Sequence, residues 1–238
     1  MIKTGKRGEV TVLTIDRHEK RNALSAQLTR SLLDALTSAA EDSRAIVITG
    51  AGSSFCSGAD LDEDKQSGDF FPALTELLST VRRVHVPVIA YVNGPAIGAG
   101  MMLAMVCDIR VAAEASVFGL PVGDQAIGVE GSIVQLLSEL VGGSRARLML
   151  LAGARLTFAE AVSCGMCVPG SFDDALALAS DCAAKAPLTL RNVKAEFAPD
   201  LFDAKERDRL RLAALRSEDM REAMQARAEK RAPRFTGR

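Results

Sequence analysis

Asn93-Gly94-Pro95-Ala96-Ile97-Gly98-Ala99-Gly100-Met101-Met102 is the stretch on which the reading of this chain turns. It follows the apolar run Pro87 to Val92, which reads as a buried strand, and leads into Leu103 to Val106, which reads as a buried helix. A turn of small residues at such a junction leaves consecutive main-chain N–H groups unshielded by side chains. Groups of that kind favour developing negative charge.

The same feature occurs earlier. Ala45-Ile46-Val47-Ile48-Thr49-Gly50 reads as a strand and runs into Ala51-Gly52-Ser53-Ser54-Phe55-Cys56-Ser57-Gly58-Ala59-Asp60-Leu61. Two small-residue turns, each after a strand, can meet over one carbonyl oxygen. Together they resemble the crotonase (enoyl-CoA hydratase/isomerase) superfamily, whose Gly-Ala-Asp-Leu and Asn-Gly-x-Ala-x-Gly-x-Gly turns are matched by Gly58 to Leu61 and Asn93 to Gly100. The resemblance extends through Arg21-Asn22-Ala23-Leu24, Cys107-Asp108-Ile109-Arg110 and the closing Glu229-Lys230-Arg231-Ala232-Pro233-Arg234-Phe235.

It implies an α/β fold: a crotonase-type spiral (ββα superhelix) core over residues 1–187 and a C-terminal helical trimerisation region over 188–238. The implied assembly is a homotrimer or a hexamer, and the implied partner is an acyl-CoA or enoyl-CoA thioester. Coenzyme A would enter as part of the substrate, with no separate cofactor.

Composition narrows the alternatives. The 29 basic residues against 30 acidic ones leave a net charge of −1, and one Tyr with no Trp offers no base-stacking platform, so nucleic-acid binding is unsupported. The charged Met1 to Glu9 lacks the apolar run of a secretory signal, and no segment is long enough to span a bilayer. A soluble, cytoplasmic protein is expected. Five cysteines, an odd number, with Cys107 and Cys182 inside apolar runs, fit reduced thiols.

In chain order, Val10 to Asp16 reads as a strand, and a helix starts near Ser25 with Leu28, Leu32, Leu33 and Leu36 on one face. Asp62 to Phe71 is polar and charged and is read as a mobile loop over the site, ahead of a helix from Pro72 to His85. Ile109 to Ala113 reads as a strand and Phe118-Gly119-Leu120-Pro121 as a buried turn. Ile133 to Leu140 and Arg145 to Leu151 read as helices, and Thr157 with Glu160 has capping-box spacing for a helix that Gly165 ends. From Asp173 onward the chain reads as helix broken at Pro187 and Pro199, with an Arg-rich last helix from about Ala204 to Arg231.

The resemblance assigns roles. The N–H groups of Ala59 and Ala99 would form the oxyanion hole for the thioester carbonyl, where loss of one donor costs about 3 kcal/mol of barrier. Coenzyme A would lie against Arg21, Ala23, Leu24 and the turn Ala59, Asp60 and Leu61, with Arg21 offering forked donors to a phosphate; a solvent-facing charge is the plainer role for that arginine. The two glutamates of the family's hydratases are replaced by Met102 and Val122, neither of which can move a proton. This argues against simple hydration, which needs groups to activate water and to protonate the α-carbon.

One carboxylate remains, Glu130, nine residues beyond Pro121, where Δ3-Δ2 enoyl-CoA isomerases of the peroxisomal type carry their catalytic glutamate before a glycine. A single acid suffices for a 1,3-proton shift. Its plainer role is a carboxylate at a helix N-terminus, worth under about 1 kcal/mol; Asp124 is a weaker candidate. The resemblance thus implies Glu130 as the catalytic residue, with no metal. A non-catalytic acyl-CoA binder, like actinobacterial members lacking both glutamates, and a CoA-thioester decarboxylase or hydrolase stay open beside the isomerase. Asp60-x-Asp62-x-Asp64 imitates a calcium loop but has Lys65 where Gly is required, and Cys164-Gly-Met-Cys167 lacks a second pair.

Overall fold

The first strand of the chain, β1 (Ile2–Arg7), turns at Gly8 into β2 (Val10–Ile15) as an antiparallel hairpin. The chain then alternates helix and strand: α1 (Ala26–Asp42), β3 (Ala45–Gly50), α2 (Phe70–Arg83), β4 (Val88–Val92), β5 (Ala96–Ile97), α3 (Ala99–Val106) and β6 (Ile109–Ala112). The computed structural model describes residues 1–60 and 68–238, so Leu61, the calcium-like loop and most of the expected mobile loop lie outside the described residues.

After β7 (Val117–Gly119) come α4 (Gly131–Val141), α5 (Gly143–Ala152), β8 (Arg155–Thr157), α6 (Phe158–Ser163) and β9 (Val168–Pro169). Helices α7 (Phe172–Ala183), α8 (Pro187–Glu196), α9 (Ala204–Leu215) and α10 (Glu218–Glu229) complete the chain. Among the described residues one sheet has the order β1-β2-β3-β4-β6-β9, parallel from β2 onward, and a second joins β5, β7 and β8. No helix among the described residues is long and apolar enough to cross a membrane.

Parallel strands need cover on both faces, and the period of two in the side chains supplies two apolar surfaces. Ile46 and Ile48 of β3 join Val88, Ala90 and Val92 of β4 in the core under α1, α2 and α3. Their neighbours Ala45, Val47 and Ile89 face the other way, against Ala175, Ala179 and Ala183 of α7. Leu28, Leu32 and Leu36 of α1 are buried, and Ser25 caps that helix by accepting from the Leu28 N–H. Thr157 and Glu160 form the reciprocal capping box of α6.

One element goes beyond the sequence reading, and three readings need correction. The charged segment before Val10 is an edge strand, because its main-chain groups pair with β2 while its side chains stay mostly exposed. Helix α2 starts at Phe70, with Pro72 inside the first turn, where a missing N–H breaks no helical bond. Val117 to Gly119 is a strand rather than a turn, since β5 and β8 flank it. The last helix is two, because Ser217 accepts from the Met220 N–H and starts α10 afresh. Arg231 beyond α10 is held by Glu222 at 2.6 Å and 2.9 Å, so its charge is spent within the tail.

The two small-residue turns are packed main chain to main chain. Phe55 and Cys56 N–H groups donate to Pro95 O at 3.1 and 3.2 Å, and Ile97 N–H donates to Cys56 O at 2.9 Å. A Cβ on Gly100 would stand 2.2 Å from Cys56 O, so no side chain fits there. Gly100→Ala is expected to lower stability by about 2–3 kcal/mol in denaturant unfolding, whereas Gly128→Ala, with nothing within 4 Å of its added methyl, should stay within about 0.5 kcal/mol of wild type.

Candidate active site

Two asparagines fix the first turn, Asn22 fully buried and Asn93 partly so. Asn22 has φ of 60°, and its Nδ2 donates to Ala51 O at 2.8 Å and Ser54 O at 2.7 Å while its Oδ1 accepts from Arg17 N–H. Asn93 reaches the same turn from the end of β4, with Nδ2 donating to Gly52 O at 2.8 Å and Oδ1 accepting from Gly50 N–H at 3.3 Å. The sequence reading gave neither side chain a role. A short polar residue next to a turn and between apolar runs is the signal that could have found them.

Ala59 lies beyond this turn in a parallel bridge with Leu24: Leu24 N–H donates to Gly58 O at 2.8 Å and Asp60 N–H donates to Leu24 O at 2.7 Å. Successive N–H groups of an extended chain point to opposite sides, so the Ala59 N–H faces away from Leu24. It meets no acceptor among the described residues. Ala99 is the first residue of α3, where an N–H has no intrahelical partner, and it too meets no described acceptor. Gly98 caps α3 at φ 56° and ψ −121°, a conformation suited to glycine.

Ala59 and Ala99 line one cavity of about 400 Å³. Its walls are helical faces: Phe70, Leu74 and Leu78 of α2, Ala99, Met102 and Val106 of α3, and Ile133 and Leu136 of α4. Met102 and Val122, standing where the resemblance places a hydratase's glutamates, both line it and both pack against the core. The ionisable side chains among its described lining are Arg82, Glu130 and Asp200. Arg82 donates to both Asp200 oxygens, at 2.7 and 2.5 Å, and holds that carboxyl below its ordinary range. Neither residue of that pair was singled out from the sequence, because their positions in the chain are 118 residues apart.

Glu130 is the N-cap residue of α4, exposed, and makes no side-chain capping bond; Ser132 Oγ lies 3.5 Å from its Oε2. Its carboxylate is therefore in no ion pair with a described residue. Asp124 is exposed and absent from the cavity lining. Cys56, buried under Gly100, has its thiol pushed up to about 12 by burial, so it packs and does not react.

Of the residues the resemblance assigned to coenzyme A, Arg21 is exposed in a left-handed conformation, φ 52°, with its guanidinium paired to no described residue. Ala23 and Leu24 are buried, and both main-chain groups of Leu24 are spent on holding Ala59. The Asp60 carboxylate is buried and engaged by Arg17 at 2.9 Å and Lys20 at 2.8 Å, an arrangement that anchors the turn from below. Leu61 lies outside the described residues.

Comparison with known proteins is consistent across the whole chain. The sequence profile of the enoyl-CoA hydratase/isomerase family matches residues 5–238. A protein named probable enoyl-CoA hydratase echA6 from Mycobacterium tuberculosis is 40% identical over 95% of this chain and 96% of its own length. The 2,3-dehydroadipyl-CoA hydratase of Escherichia coli is 36% identical over 96% of each chain. Among solved structures, an enoyl-CoA hydratase from Geobacillus kaustophilus superposes with a TM-score of 0.87 at 31% identity, covering 100% of this chain and 98% of that one. An enoyl-CoA hydratase/carnithine racemase from Magnetospirillum magneticum gives 0.88 at 28% identity, covering 100% and 96%. With an α/β core, a helical C-terminal region and these relatives along its full length, the chain belongs to the enoyl-CoA hydratase/isomerase family.

Proposed function

We propose that this protein binds enoyl-CoA thioesters and shifts their double bond from C3 to C2, with Glu130 as the proton carrier and the Ala59 and Ala99 N–H groups as the oxyanion hole. The observation that carries the reading is the content of the cavity: among the described residues, two main-chain donors without acceptors and one lining carboxylate outside any ion pair, in mainly apolar walls.

The steps follow from those groups. The Glu130 carboxylate takes a proton from C2 of a 3-enoyl thioester, and the electron pair passes through the carbonyl carbon onto the thioester oxygen. The resulting dienolate oxygen is stabilised by the two amides, which are fixed by the turns and need no reorganisation as charge develops. Protonated Glu130 then returns the proton to C4, and the double bond comes to lie between C2 and C3. Water addition draws no support from Met102 and Val122, which offer nothing to activate a nucleophile.

Coenzyme A would follow the Arg21 edge of the site, its phosphates meeting the free guanidinium. Ala23, Leu24 and Asp60 support that edge from within. The names of the relatives point to the same class of thioester. A cytoplasmic homotrimer or hexamer is part of the proposal, supported by the apolar side chains that one copy leaves in water: Leu148 and Leu151 on α5, Val193 on α8 and Phe197 at its end.

One observation favours a second reading, a binder without turnover: Glu130 is exposed at a helix N-terminus, the ordinary place of a structural carboxylate. Decarboxylation or hydrolysis of a thioester would use the same enolate hole and would release carbon dioxide or free CoA.

Glu130→Gln is expected to lower isomerisation of a 3-enoyl-CoA by about 10²–10⁴-fold, followed as the conjugated absorbance appears, while thioester affinity by calorimetry stays within about twofold. Unchanged tight binding with no turnover in the wild type would establish the binder instead. Ala99→Pro removes one donor at the first helical position, where proline is tolerated, and should reduce turnover about 10²–10³-fold with helical content retained by circular dichroism.

A further inference from the structure

The cavity has a direction. Helices α2 and α3 both lead into strands of the parallel sheet, β4 and β6, so both start at the edge where the two turns lie and run back toward the opposite edge. The lining residues follow them, with Ala99, Met102 and Val106 along α3 and Phe70, Leu74, Leu78 and Arg82 along α2. From Phe70 to Arg82 is about 18 Å at 1.5 Å per residue. Ala59 and Ala99 stand at one end of this path and Arg82 at the other.

What stands at the far end is an ion pair between elements distant in sequence. Arg82 grips Asp200, which belongs to the segment joining α8 and α9, and Leu201 beside it also lines the cavity. The Arg82 side chain is 21% exposed and that of Asp200 is 44% exposed, so the pair stands between the apolar cavity and bulk water. A second tie holds the same segment: the Arg83 guanidinium lies over the Phe202 ring at 5.6 Å, and Phe202 is buried among Ala195, Ala198 and Leu210.

We propose that the Arg82–Asp200 pair is the end wall of the acyl channel and sets the longest acyl chain that the protein accepts. This rests on the reading of the cavity as an acyl-CoA site. A methylene chain that reaches the pair must either stop or strip water from two charges without offering them a hydrogen bond, so further carbons bind less well. Truncating either side chain removes the wall and opens the channel to solvent at its far end. The pair is a selector of substrate length and takes no part in proton transfer.

The test measures calorimetric affinities of butyryl-, octanoyl-, dodecanoyl- and hexadecanoyl-CoA for the whole protein, for Arg82→Ala, for Asp200→Ala, and for the charge swap Arg82→Asp with Asp200→Arg. Wild type should show affinity rising with length to an optimum and falling beyond it. Each alanine variant should move the optimum to a longer chain and raise affinity for the first rejected chain by about tenfold or more, with butyryl-CoA unchanged. The swap should restore the wild-type profile. If the wild type binds the series but the optimum stays put, or if the alanine variants weaken every chain equally, the end-wall role is wrong and the acyl-CoA reading stands. If no member of the series binds the wild type, the acyl-CoA reading fails and the end wall with it.

Discussion

Everything at the proposed reaction end depends on two turns touching through their main chains. The turn after β3 and the turn after β4 exchange hydrogen bonds through Phe55, Cys56, Pro95 and Ile97, and the contact closes because Gly100 has no Cβ to meet the Cys56 carbonyl and Gly94 none to meet that of Ser53. Parallel strands adjacent in the sheet deliver their turns to the same edge, as β3 and β4 do through the pairing of Ile46 to Thr49 with Val88 to Tyr91. Once the turns are in contact, the N–H of Ala59 and the N–H of Ala99 are both left without acceptors among the described residues, on the wall of one cavity. Small side chains at these positions are a packing requirement first, and a chemical opportunity because of it.

The polar interactions around this contact are scaffolding. Asn22 and Asn93 satisfy the carbonyls of the first turn from two sides, and the bridge to Leu24 orients Ala59 by consuming the groups on either side of it. Asp60, with Arg17 and Lys20, ties the following residue down. A donor that must stabilise charge gains from being immobile before the charge appears, and immobility here comes from hydrogen bonds that never touch the substrate. Among the described residues of the cavity lining, Glu130 is the one carboxylate outside an ion pair.

Much of the fold could be read from residue order. The apolar runs at Ala45 and Val88, the stripe Leu28-Leu32-Leu36 and the cap at Ser25 are local signals, and each reappears in the structure near its expected place. Two elements, one left unread and one misread as a turn, share one cause. The edge strand Ile2–Arg7 and the short strand Val117–Gly119 are strands because of their neighbours, and nothing in their own composition compels it. Ser217 is different: it carries an ordinary N-cap signature with acidic residues in the following turn, and a closer reading of residues 204–231 could have divided that helix.

For the site, Ala59, Ala99, Glu130, Met102 and Val122 could be singled out because each sits in a short motif, a local property of the chain, and the structure brings all five to the lining of one cavity. Leu24 was legible as part of a motif but not in its role, since its burial and its bridge to Ala59 exist only after the chain has folded back. Arg82 and Asp200 were not legible at all: one ends a helix, the other lies in a connector, and neither has a sequence neighbour that hints at the other. Sequence alone determined which turns could present main-chain donors and which helices could bury a face, because those depend on side-chain size and spacing. Only the tertiary structure decided that the two turns share an edge and that Arg82 and Asp200, far apart in sequence, pair on the wall of the same cavity, because long-range contacts are set by how sheet and helices pack rather than by any single segment's composition.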